Sequence, residues 1–277
     1  MARVAERPRF TPRPGGPPPN FERFGRVLAV MSGKGGVGKS SVALNLAVAL
    51  NAAGHRVGLA DLDVTNPNLP TMVALSDFRF EPAKGLVPPE VAGVPVASTA
   101  FFSPPGKALV WRGPMKQKMI VQLLQRVAWP ELDILVLDLP PGTSDEPLSV
   151  AEMLRDRASA VLVTTPQRVS TEDLERSYAF TQQARLPLSG VIENMSRFVC
   201  DECGKEHALF GRGGGKATAE RLGAPFLGEV PFDVAMVTSG DRGKPFVLAH
   251  PDAPAAQALT RIAKLLGASG SAEAQNS

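Results

Sequence analysis

The chain has 277 residues, with 30 lysines and arginines against 27 aspartates and glutamates. That length fits one large domain or two small ones. The charge excess is local: residues 1–26 hold six arginines (Arg3, Arg7, Arg9, Arg13, Arg23, Arg26) and two glutamates, so the rest of the chain is close to neutral. Nucleic-acid readers cluster their basic residues on one folded face, so no nucleic-acid partner is expected. A hydrophobic share of 44% excludes general disorder. No apolar run reaches the roughly 18 residues that mark a membrane span, and the Arg- and Pro-rich start lacks the apolar centre of a secretory signal. A soluble cytoplasmic protein with no membrane partner is expected.

In chain order, residues 1–23 read as a disordered Pro/Arg-rich arm, because six of the 26 prolines fall within the first twenty positions. From 24 to 266, short apolar runs alternate with helix-length stretches. This is the pattern of an α/β domain with a mostly parallel sheet and helices on both faces. Strands are expected at Val27–Met31, Arg56–Ala60, Leu132–Leu137, Ala160–Thr164 and Pro187–Ile192, each apolar on both faces. Helices fit at Ser40–Ala53, Pro114–Val127, Thr171–Ala184 and Ala253–Leu266. Residues 76–112 read as irregular or hairpin structure, and 267–277 as a flexible tail. No repeat or composition shift marks a second domain.

The first strand runs into Gly33-Lys34-Gly35-Gly36-Val37-Gly38-Lys39-Ser40, which satisfies G-x-x-x-x-G-K-[ST] between a strand and a helix. The P-loop NTPase fold follows. Glycines let backbone N–H groups close around a β-phosphate, and the helix N-terminus adds its positive end. Lys39 reaches the β- and γ-phosphates and the Ser40 hydroxyl takes Mg²⁺, with Ser41 next in the ATP site. Lys34 is an extra cation that an ordinary phosphate loop does not need. The run K-G-G-V-G-K-S resembles the deviant Walker A of the MinD/ParA/nitrogenase-iron-protein class. That resemblance implies a nucleotide-sandwich homodimer in which Lys34 acts catalytically on the partner's nucleotide.

Two groups of acids suit metal and water. Leu132–Asp138 reads as a buried strand ending in an acid, at the edge where an open α/β sheet binds its ligand, so Asp138 is expected to hold Mg²⁺. Asp61 and Asp63 follow the second strand and point the same way along an extended segment. The related ATPases place a water-orienting acid here, which implies Asp63 as catalytic and Asp61 as support for Mg²⁺ or for the loop.

Cys200-Asp201-Glu202-Cys203 is a C-x-x-C pair and supplies half of a four-thiolate set. From the residues alone, thioredoxin-like chemistry, a zinc site shared between subunits and a bridging Fe–S cluster all remain open. Val191–Ser196, the cysteine pair, Phe210–Gly215 and Leu227–Asp233, together with Trp111–Met115 and Asp138–Asp145, resemble the Mrp/ApbC-type iron–sulfur carrier ATPases over residues 24–250. The resemblance implies slow ATP hydrolysis and a [4Fe–4S] cluster held by Cys200 and Cys203 across a homodimer. It also implies transfer of that cluster to apoprotein recipients and contact of Asn194 with the adenine base. The alternatives are a MinD/ParA-type spatial-organisation ATPase and a zinc-bridged scaffold locked by nucleotide. One departure stands out. The family's switch loop reads D-x-D-x-x-G-P-S-x-P, whereas here Asn66 and Asn68 replace its glycine and serine.

Overall fold

The computed structural model describes residues 21–75, 78–83, 85–102, 113–154, 157–200 and 202–268. Most of the expected arm and tail lies outside these, as do Trp111, Arg112 and Asp201. In chain order the elements are β1 (Phe24–Met31), α1 (Lys39–Ala52), β2 (Val57–Asp61), α2 (Leu69–Met72), β3 (Arg79–Glu81), β4 (Gly85–Val87), β5 (Glu90–Val91) and β6 (Val94–Ser98). Then come α3 (Gly113–Arg126), β7 (Leu132–Asp138), α4 (Asp145–Met153), β8 (Ala158–Thr164), α5 (Arg168–Gln183), β9 (Leu188–Val199) and β10 (Glu206–His207). The chain closes with α6 (Gly214–Leu222), β11 (Phe226–Phe232), α7 (Val234–Asp241), α8 (Phe246–Ala249) and α9 (Pro254–Ala268).

The main sheet has the order β10-β9-β8-β1-β7-β2-β6-β5, with β11 added on β9. Its long strands all pair in parallel. Only the two-residue strands β5 and β10 are antiparallel. Along β1, Leu28 and Val30 face a core layer that includes α1 and α9. Val27, Ala29 and Met31 face a second layer with α3, α4 and α5. Both faces are covered, which is why these strands read as unbroken apolar runs.

Helix α1 is buried on nearly all sides, from Val42 through Leu50. Its one buried amide is satisfied: Asn45 donates from Nδ2 to the Ser41 carbonyl and accepts the Val247 N–H at Oδ1. Helix α9 lays Leu259, Ile262, Ala263 and Leu266 onto this layer, so the last helix is a packed core helix.

Three differences from the sequence reading follow from long-range pairing. Residues 76–112 were expected as irregular or hairpin structure, yet β6 is a full parallel member of the sheet beside β2. Its Pro95 interrupts the strand signal. Strand β9 runs seven residues beyond the expected end at Ile192, because β11 pairs along it. Asn194 therefore lies inside a strand, and the cysteines follow its far end directly. The tightest test of the core is Leu135, fully buried in the central β7. Leu135→Ala is expected to lower the unfolding free energy by about 2–5 kcal/mol, read from the shift of the urea midpoint.

Candidate functional site

The parallel strands deliver their C-terminal ends to one edge. In register, Asp61 lies beside Asp138, and Asp138 beside Val30, just before the phosphate loop. Gly38 caps α1 with a left-handed φ of +79°, and a Cβ there would meet Asn194 Nδ2 at 2.3 Å. Glycine is required for both reasons. Asn194 Nδ2 donates to the Val37 carbonyl at 2.8 Å, which ties β9 to the loop. On the other side, the Gly142 N–H donates to the Ser32 carbonyl at 2.7 Å, joining the Pro140–Thr143 turn to the loop's start.

Lys39 is buried and pairs with Asp138 Oδ1, with Ser40 Oγ 3.5 Å from its Nζ. Burial pushes the Asp61 carboxyl well above the usual carboxylate range, and the charge of Asp138 pushes the same way. N–H groups of Asp63 and Leu69 pull it back. Burial likewise raises Asp138, opposed by Lys39. Asp138 Oδ2 is buried with no hydrogen-bond partner among the described residues. An orphaned carboxylate oxygen beside the Ser40 hydroxyl is the donor set that a hard, oxygen-seeking Mg²⁺ takes. The residues fit the ion.

Asp61 has both oxygens engaged by protein: Oδ1 accepts the Asp63 N–H at 3.1 Å, and Oδ2 accepts the Leu69 N–H and the Ser98 hydroxyl at 3.2 and 3.1 Å. Its contacts thus serve the switch loop, bracing both of its ends against β6. Asp63 Oδ1 accepts N–H bonds from Thr65 and Asn66 at 3.1 and 2.9 Å, a turn of the kind Asp favours. Lys34 Nζ lies 3.4 Å from Gln167 Oε1 at the N-cap of α5.

Beyond Gly38 and Ser41 opens a cleft of about 60 Å³, walled by Asn194, Met195, Phe232, Asp233 and Met236. The Asn194 amide spends one N–H on Val37, which leaves its second N–H and its acceptor oxygen. Asp233 caps α7 by accepting the Ala235 N–H at 2.8 Å. The neighbouring Glu193, fully buried, accepts the N–H groups of Gly213 and Gly215 at 3.2 and 2.5 Å, anchoring the N-terminus of α6.

Strand β9 ends at the cysteines. Val199 pairs with Glu206 and Phe198 with His207 across a tight hairpin. The Cys200 N–H donates to the Lys205 carbonyl at 3.0 Å, and the Gly204 N–H to the Cys200 carbonyl at 2.8 Å. Gly204 takes φ +68° to make the turn. Arg197 bridges Glu206 and Glu229 at 3.0 and 3.2 Å, and Arg212 reaches Glu206 at 2.8 Å, bracing the base of the hairpin. Cys200 is half-buried and Cys203 exposed. No group of three or more His, Cys, Asp or Glu side chains that could hold a metal occurs among the described residues.

Comparison with known proteins carries this geometry to a family. A family model described as NUBPL iron-transfer P-loop NTPase, of the ParA group, matches residues 23–266. The chain belongs to this family. The iron–sulfur cluster carrier protein of Deinococcus radiodurans is 46% identical over 242 residues, covering 87% of this chain and 68% of that one. The nucleotide-binding protein of Archaeoglobus fulgidus in complex with ADP superposes with a TM-score of 0.70 at 35% identity, over 81% of this chain and 88% of the other. MinD of Pyrococcus horikoshii, complexed with Mg-ADP, gives a TM-score of 0.65 at 22% identity, over 87% and 95% of the two chains. At that identity the likeness is one of fold alone.

For this NUBPL-type chain the structure brings Lys39, Ser40, Asp61, Asp63, Asp138 and Asn194 to one edge of the sheet, with Cys200 and Cys203 apart from them at the tip of β9. Sequence reasoning gave no role to Ser98, Phe232, Met236 or Glu193. The run Val230-Pro231-Phe232-Asp233 carried part of the family resemblance but no signal for the cleft wall, because its partners come from remote segments. Lys39→Ala is expected to weaken nucleotide binding by at least about 2 kcal/mol, some 30-fold, in a titration with a fluorescent ADP analogue.

Proposed function

We propose that the chain is a homodimeric, Mg·ATP-dependent carrier that holds a [4Fe–4S] cluster and passes it to apoproteins in the cytoplasm. The observation that carries this reading is the direct run of β9 from Asn194, against the phosphate loop, to Cys200 at the hairpin. One strand thus serves a nucleotide site and a pair of thiols. No described helix is long and apolar enough to cross a membrane.

On this reading the cluster is cargo. A cubane cluster takes four thiolates, and one chain supplies two. A two-fold axis makes the same patch meet itself, so Cys200 and Cys203 of two copies complete the set. The nucleotide lies along Gly33–Ser41, with Gly35 and Gly36 at the open turn, and the base beside Asn194. The Asn194 oxygen can accept a hydrogen bond from the exocyclic amine of adenine.

Lys39 leaves Asp138 for the β- and γ-phosphates, and Ser40 with Asp138 would hold Mg²⁺, which would offset charge on the phosphate oxygens. Asp63 orients the water whose oxygen attacks the γ-phosphorus as the bond to the bridging oxygen breaks. To do so it gives up its turn to Thr65 and Asn66. With Asn66 and Asn68 in that loop in place of the family's glycine and serine, the change is slow, and hydrolysis with it. Lys34 leaves Gln167 to stabilise the transferred charge on the partner's nucleotide.

Two measurements test the reading. Lys34→Ala is expected to keep nucleotide affinity within about threefold while hydrolysis falls at least about 10³-fold, the smallest loss typical of a missing charge finger. Wild-type turnover in that variant refutes the trans role. Anaerobic reconstitution with iron and sulfide is expected to yield one four-iron cluster per two chains. Cys200→Ala and Cys203→Ala should each lose its visible absorption and still bind ATP. A full cluster on a verified monomer, or zinc retained against reconstitution, overturns the bridging model.

A further inference from the structure

We propose that Phe232 is a positioning residue through which an adenine nucleotide in the cleft beside Asn194 controls access to the Cys200 thiol. The inference deepens the nucleotide half of the function above and is independent of what the thiols carry.

The ring of Phe232 is a wall shared by two spaces. One is the cleft of about 60 Å³ next to Gly38, Ser41 and Asn194. The other is a cavity of about 300 Å³ lined by Phe198, Val199, Cys200, Phe232, Val234 and Pro254. Ring contacts link Phe232 to both flanks of the hairpin. Phe198, two residues before Cys200, meets it edge-on at 6.3 Å between centroids, and Phe210, after the hairpin, at 6.5 Å. His207 stacks obliquely on Phe198 at 6.3 Å.

A base seated in this cleft of about 60 Å³ packs directly against its walls. Gly38 and Ser41 belong to the loop and the buried helix α1, and Asn194 is pinned to Val37. The walls that can give are the side chains of Phe232, Met195 and Met236.

The backbone beneath them is irregular. Val230 pairs with Asn194 but Phe232 with Phe198, so Met195–Arg197 bulge out opposite Pro231. Met195 takes φ +56°, a costly conformation for a non-glycine residue. The buried Ser196 hydroxyl has no hydrogen-bond partner among the described residues, which also costs free energy. This stretch of β9 is therefore held in a strained arrangement and is the part of the strand that can shift. When Phe232 leaves the cleft, the space open to it is the larger cavity. There it covers Cys200. Cys203 does not line that cavity and serves as the internal reference.

The test is alkylation of the full-length, reduced, cluster-free protein with iodoacetamide, followed residue by residue by peptide mass. It is run with and without Mg·ADP, each protein at saturation of its own measured affinity. Bound nucleotide is expected to slow Cys200 at least about fivefold, the lower end of typical coupling between sites, and to leave Cys203 within about twofold. Phe232→Tyr keeps the ring and is expected to keep the response. Phe232→Ala is expected to bind ADP and lose it. By linkage, Cys200 alkylation should weaken ADP binding in the wild type and leave Phe232→Ala unchanged.

A wild-type Cys200 rate indifferent to saturating ADP overturns the coupling alone, as does full slowing in Phe232→Ala. Absence of any ADP binding overturns the nucleotide reading together with it. An intact alkylation response in a protein that takes up no cluster leaves the coupling standing and refutes the carrier role.

Discussion

Two buried carboxylates, Asp61 and Asp138, share one buried ammonium, that of Lys39, and much of the molecule is arranged around this imbalance. Charges removed from water are tolerated only when paired and hydrogen-bonded. Asp61 meets the requirement with N–H groups from its own loop and a hydroxyl from β6. Asp138 meets half of it and keeps one oxygen without a hydrogen-bond partner among the described residues. On the proposed reading a divalent cation would meet that oxygen, and Lys39 would then be released toward phosphate. A parallel sheet buried on both faces leaves such groups one place to gather, the carboxyl ends of its strands.

Strand β9 extends this arrangement away from the phosphates. Glu193 points to α6, Asn194 to the loop before α1, and Arg197 to the acids of β10 and β11. Four segments that are separate in sequence are therefore referred to one rod. Up to Asn194 it is paired on both sides, by β8 and β11, and directly beyond it carries the bulge at Met195.

The phosphate loop, the acid at the end of β7 and the cysteine pair were legible because each is set by local chemistry: a glycine spacing, an apolar run closing in a carboxylate, two sulfurs three positions apart. The sheet order near its edges was not. Strand β6 contains Pro95 and β11 contains Gly228 and Pro231, residues that read against strand, and only pairing with β2 and β9 makes them strands. The role of Asp61 was half legible. Its position said that it belonged to the site, while its commitment to Ser98 depends on a strand whose placement is purely tertiary. Phe232 is the extreme case, since no spacing in the chain places it beside Phe198 and Phe210.

The outer strands bear on how copies of the chain can meet. At one end of the sheet β5 is two residues long. At the other, β11 is broken by register shifts between Phe226 and Gly228 and between Val230 and Phe232, and Pro231 has no N–H to offer. Short or interrupted edges give an incoming strand no continuous row of main-chain donors and acceptors. Self-association by fusing sheets edge to edge is thereby discouraged, and with it the open-ended stacking that leads to fibres. Any closed pairing of two chains is left to side chains and bound ligands, so it can be made and undone without remodelling the backbone.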